Sequence, residues 1–60
     1  MEQVLVKFYI KGKLLPIKVI FESKANAKEF IDSMEAKDVV IINDYAISMR
    51  KFKYARFKVL

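Results

Sequence analysis

The sequence predicts a small α+β domain in which one helix packs on one face of a single-layer antiparallel sheet. Segments near both ends of the chain alternate apolar and polar residues, which is typical of half-buried strands. One central stretch instead has apolar residues at helical spacing. The predicted order is therefore β-β-α-β-β, with or without a fifth strand. A chain of 60 residues is short enough that residues 1–60 are expected to form a single domain.

The first two predicted strands form a hairpin. The segment VLVKFYI, which begins at Val4, alternates throughout, and KGK at 11–13 is a short loop whose glycine can adopt positive φ. The segment LLPIKVIF follows, and its alternation places Leu15 on the same face as Ile17. Pro16 has no N–H, so the second strand either starts there or lies at a sheet edge at that point.

The single predicted helix begins after Ser23, a good N-cap residue. The sequence that follows is KANAKEFIDSMEA, with apolar residues at the i, i+3, i+4 and i+7 positions of one helical face. This spacing predicts an amphipathic helix of about three turns. The residues expected to pack against the inner side of the first hairpin are Ala27, Phe30, Ile31 and Met34.

A second hairpin is predicted in DVVIINDYAISM. Asn43 and Asp44 form its turn, because both residue types tolerate left-handed backbone. A two-residue loop places Ile42 opposite Tyr45. The remaining segment alternates as well, and it either continues the strand through a bulge or forms a separate strand after a turn near 50–51. On one of its sides, alternation places Phe52, Tyr54, Arg56 and Lys58.

The C-terminal segment is the most basic part of the chain. The net charge is +5, and residues 45–60 hold five cations and no acid, whereas residues 23–44 are net acidic. Single-stranded nucleic acid is held by cations that follow its phosphates and by aromatic rings that stack on its bases. The stretch RKFKYARFK offers both, so we expect a small basic non-catalytic binding domain that contacts nucleic acid through the uncovered sheet face. The predicted contact residues are Lys7, Tyr9, Lys18, Arg50, Phe52, Lys53, Tyr54, Arg56 and Lys58.

Two alternatives to nucleic-acid binding are open at this point. Strands favour aromatic residues, and Lys and Arg discourage edge-to-edge pairing, so the same stretch is also typical of a solubilising edge strand. The uncovered face also carries apolar residues, which monomers seldom leave bare in large patches. This favours a homodimer or a protein-interaction module, such as a small regulator or inhibitor that docks on a larger protein. The apolar residues concerned are Leu5, Tyr9, Ile20 and Phe52.

The composition argues against catalysis. The chain has no His and no Cys, which removes the commonest general base and any Cys-based zinc site. Glu29, Asp32 and Glu35 recur every three residues, and we interpret them as a solvated helix face. The sequence therefore predicts a protein that is not an enzyme and has no metal, no cofactor and no small-molecule substrate.

The sequence also bears on location. No apolar run approaches the roughly 20 residues of a membrane span. The segment MEQVLVKFYI opens with an acid and alternates, unlike a signal peptide. A cytoplasmic location is therefore expected, and the lack of Cys fits a reducing compartment.

Overall fold

The structure, a computed structural model, describes residues 2–60. It contains β1 (Val4–Ile10), β2 (Ile17–Phe21), α1 (Lys24–Met34), β3 (Val39–Ile42), β4 (Tyr45–Ser48) and β5 (Phe52–Val59). The predicted α+β class and its element order are confirmed, and the fifth strand is present as a separate strand. The strands form two antiparallel sheets rather than one: a three-stranded sheet in the order β2-β1-β5, and the hairpin β3-β4.

β1 is the central strand of the larger sheet because it pairs with β2 on one side and with β5 on the other. Its residues alternate between buried and half-buried, as the sequence pattern predicts. Val6 lies directly opposite both Val19 and Phe57, so the side chains of these three residues are on the same face of the sheet. We call the helix-facing side the inner face. The β1 residues buried on it are Val4, Val6, Phe8 and Ile10.

The helix covers the inner face over β1 and β2. Ser23 caps it as predicted, since its Oγ accepts a hydrogen bond from the Asn26 N–H at 3.1 Å. The predicted packing side is also confirmed, and the Phe30 ring meets the Phe8 ring edge-on with centroids 6.0 Å apart. The helix residues buried or half-buried against the sheet are Ala27, Phe30, Ile31 and Met34.

The hairpin β3-β4 contributes to the same core. Its turn is the predicted one: Asn43 and Asp44 have φ values of 48° and 67°, as a two-residue type I′ loop requires. The predicted register, with Ile42 opposite Tyr45, is also confirmed. The Asn43 side-chain amide donates to the Lys18 carbonyl at 2.9 Å and so ties the turn to β2. The hairpin residues buried in the core are Val40, Ile42 and Ile47.

A tight turn separates β4 from β5. The Lys51 N–H donates to the Ser48 carbonyl at 2.9 Å, so the chain reverses here without Gly or Pro. The Lys11 N–H then donates to the Lys51 carbonyl at 2.7 Å, which ties the start of β5 beside the end of β1. The C-terminal strand thereby takes the free side of β1, and β3-β4 remains a separate two-stranded sheet.

The predicted facing of Leu15 is wrong. The side chain is 75% exposed in the loop before β2, and strand pairing with β1 stops at Phe8 opposite Ile17. Pro16 explains this, because it lacks the N–H that the next ladder position would need. No helix within residues 2–60 is long and apolar enough to cross a membrane.

Candidate nucleic-acid interface

The sheet face turned away from the helix, which we call the open face, collects side chains from three strands. Ile20 is 59% exposed and Tyr54 is 49% exposed, so solvent reaches this face at both of its outer strands. None of the residues on it is acidic, because strands β1, β2 and β5 contain no Asp or Glu. The register places on the open face Leu5, Lys7, Tyr9, Lys18, Ile20, Tyr54, Arg56 and Lys58.

Three of its cations form one row across the sheet, which we call the cation row. Lys7 on β1 lies directly opposite Lys18 on β2 and directly opposite Arg56 on β5. Neighbouring strands are about 4.8 Å apart, and like charges directly opposite each other destabilise a sheet. The free chain therefore carries an unfavourable charge arrangement in the middle of its open face. A bound anion would relieve it.

A pair of stacked tyrosines lies beside the cation row. Tyr9 and Tyr54 are directly opposite each other, with ring centroids 4.6 Å apart and planes 18° from parallel. Each ring therefore has one side occupied by the other. β5 is an outer strand of its sheet, so within residues 2–60 no neighbouring strand lies beyond the far side of the Tyr54 ring. That side is suited to receive a further planar group, such as a nucleobase.

The prediction that Phe52 shares a face with Tyr54 is wrong. Tyr54 lies opposite Tyr9, but Phe52 lies opposite Ile10, so Lys53 is the extra residue of a β-bulge. The bulge turns Phe52 to the inner face, where its ring lies 6.3 Å from the ring of Phe8. Simple alternation cannot reveal this change of phase, because no Gly marks the bulge in the sequence.

The other predicted contact residues divide into two groups. Arg50 lies in the β4-β5 turn, where its N–H approaches the Ser48 Oγ at 3.4 Å, and Lys53 lies at the bulge. Both are exposed, but neither occupies a register position on the open face. A shallow depression between β1 and β5 is lined by Lys7, Tyr9, Arg56, Phe57 and Lys58. The predicted residues that the structure brings together on one face are Lys7, Tyr9, Lys18, Tyr54, Arg56 and Lys58.

Within residues 2–60, no group of three or more His, Cys, Asp or Glu side chains converges. Comparisons with protein-family models, with curated proteins and with solved structures found no match to this chain. Function is therefore inferred from the geometry of the open face.

Proposed function

We propose that this chain is a small non-catalytic domain that binds single-stranded nucleic acid on its open face. The observation that supports this most is the cation row beside the stacked tyrosines. Cations that follow phosphates and rings that stack on bases are the two elements of single-strand binding. Here both lie on one face, in strands without an acidic residue.

The spacing of the two elements suits a single strand of nucleic acid. Lys7 and Tyr9 are two residues apart on β1, which is about 7 Å along a strand. Phosphates held at the cation row would therefore leave bases close to the exposed side of Tyr54. Stacking accepts any base, because every base has a planar π surface, so we expect weak sequence preference. The proposal includes a cytoplasmic location, where single-stranded RNA would be available.

The test is a salt titration by fluorescence anisotropy with a labelled strand of about 20 nucleotides, long enough to cover several contacts. If the four open-face cations each neutralise one phosphate, the log–log slope of affinity against salt should be near −3, since each contact on a single strand contributes about −0.7. The cations concerned are Lys7, Lys18, Arg56 and Lys58. Absence of binding at low salt would refute the proposal.

A second candidate function is protein interaction without nucleic acid, most simply between two copies of the chain. The supporting observation is exposed aliphatic surface on hairpin β3-β4, where Val39 is 56% and Ile41 is 69% exposed. Monomers seldom leave large apolar patches uncovered. Sedimentation of the purified chain would show a dimer that persists at high salt, and Ile41→Ser should dissociate it. The predicted dimer surface on the open face is smaller than expected, because Phe52 lies on the inner face.

A further inference from the structure

The outer edge of β5 borders the open face and offers free backbone groups that the open face does not. β5 is eight residues long and pairs only with β1, so its other edge has no strand beside it in residues 2–60. All five residues from 56 to 60 are exposed. A long, uncovered edge strand is a template for pairing with another chain.

The hydrogen-bond pattern shows which backbone groups this edge offers. The Leu60 N–H donates to the Gln3 carbonyl at 2.9 Å, so Leu60 directs its backbone groups towards β1. Directions alternate along an antiparallel strand. The N–H and C=O groups of Ala55, Phe57 and Val59 therefore point away from β1, towards the free edge.

The side chains at this edge differ between the two faces of the sheet. On the inner face, Phe57 is 42% exposed and Val59 is 53% exposed, although Val6, the β1 residue opposite Phe57, is fully buried. The helix packs mainly on β1 and β2, and the exposure of Phe57 and Val59 shows that this end of β5 is only partly covered. On the open face, the same end of β5 presents Arg56 and Lys58.

We propose that the free edge of β5 binds an extended acidic peptide as an added strand. A strand in this position would have residues directly opposite Arg56, Phe57, Lys58 and Val59. Its side chains would therefore meet a cation, an apolar group, a cation and an apolar group in turn. The matching ligand alternates acidic and apolar residues, and its backbone bonds to the free groups of Phe57 and Val59. This inference does not depend on nucleic-acid binding.

Charge favours such a peptide over a second copy of the chain. Two copies of β5 that pair around Phe57, with their inner faces on the same side, would place Arg56 of each copy opposite Lys58 of the other. Pairing around Arg56 would place the two guanidinium groups opposite each other. Like charges directly opposite destabilise a sheet, whereas glutamates at the same positions would be attracted.

The probe is a fluorescein-labelled eight-residue peptide of alternating glutamate and valine, titrated into the full chain at low salt. We expect saturable binding that Arg56→Ala with Lys58→Ala weakens by about fivefold, since each exposed ion pair contributes modestly. The control variant Lys24→Ala with Lys28→Ala removes the same charge from the helix and should change affinity by less than about twofold. All four side chains are exposed, so both variants should fold.

Two further controls test the strand geometry. A peptide with methylated backbone nitrogens at the residues that face β5 should lose binding, because those N–H groups donate to the β5 carbonyls. Amide hydrogen exchange, followed by NMR, should slow at Phe57 and Val59 on saturation by the unmethylated peptide. The amides of Arg56 and Lys58 point towards β1 and should change little.

Several results would overturn this inference. Equal binding of the methylated peptide would exclude strand addition. Protection of the Phe57 and Val59 amides in the free chain, together with a dimer in sedimentation, would assign the edge to a second copy. An oligonucleotide that binds while the peptide does not would refute the edge site and leave the proposed function standing. Peptide binding without oligonucleotide binding would refute the proposed function and support the edge site.

Discussion

At the scale of single residues, Phe8 connects the parts of the core. It is fully buried on the central strand, and its ring contacts Phe30 from the helix and Phe52 from β5. The alternation of β1 was enough to predict that Phe8 faces inward. Its contact with Phe52 was not predictable, because it depends on the bulge at Lys53.

Phe8→Ala should therefore unfold most of the protein. Removal of a buried Phe side chain costs about 3–5 kcal/mol, which is comparable to the whole stability of a domain of this size. Thermal unfolding followed by circular dichroism tests this, with Tyr54→Ala as an aromatic control on the exposed open face. A Phe8→Ala melt that shifts no more than the Tyr54→Ala melt would mean that the core is not assembled around Phe8.

The second prediction at this scale concerns Lys7, the centre of the cation row. Lys7→Gln removes the charge that lies directly opposite both Lys18 and Arg56, and should raise the free energy of unfolding by about 0.5 kcal/mol at low salt. Salt screens exposed charges, so the gain should shrink at about 1 M salt, where the Debye length is about 3 Å. Urea unfolding at both salt concentrations measures it, with Lys24→Gln as the control. A gain in the free energy of unfolding that does not depend on salt would contradict charge repulsion within the cation row.

At the scale of elements, local sequence signals predicted most of what the structure contains. The Ser23 cap, the helix face and the Asn43-Asp44 turn depend on residues close together in the chain, where local backbone preferences decide the outcome. The prediction for Leu15 was wrong because the alternating pattern continues through Pro16, whereas strand pairing ends at Ile17. The bulge at Lys53 was missed because its cause is the pairing of β5 with β1, not a local residue preference.

The turn of hairpin β3-β4 gives a prediction at this scale. Asp44 has a φ of 67°, a left-handed conformation that Gly adopts without steric cost. Asp44→Gly completes the preferred Asn-Gly pair and should raise the free energy of unfolding by about 0.5 kcal/mol. Asp44→Val should lower it, since β-branched residues strongly disfavour this conformation. Urea unfolding curves compare the three chains, and stabilisation by Val would show that the turn has a different backbone.

At the scale of the whole molecule, the candidate site depends on how distant strands align. The sequence predicted that basic and aromatic residues of β5 would lie beside those of the first hairpin. It could not predict that Lys7 lies between Lys18 and Arg56, because that requires the register of β1 with strands on both sides. The prediction that all strands form one sheet was wrong, because no local pattern in the sequence indicates that β5 pairs with β1 and not with β4.

The most direct test of the nucleic-acid proposal compares two double variants in the oligonucleotide salt titration. Lys7→Ala with Arg56→Ala removes two members of the cation row and should flatten the log–log slope by about 1.4, since each lost phosphate contact on a single strand removes about 0.7. Lys24→Ala with Lys28→Ala removes the same charge from the exposed helix surface on the opposite side of the sheet and should leave the slope unchanged. Equal flattening by the two variants, or an unchanged slope in the first, would contradict a phosphate-binding open face.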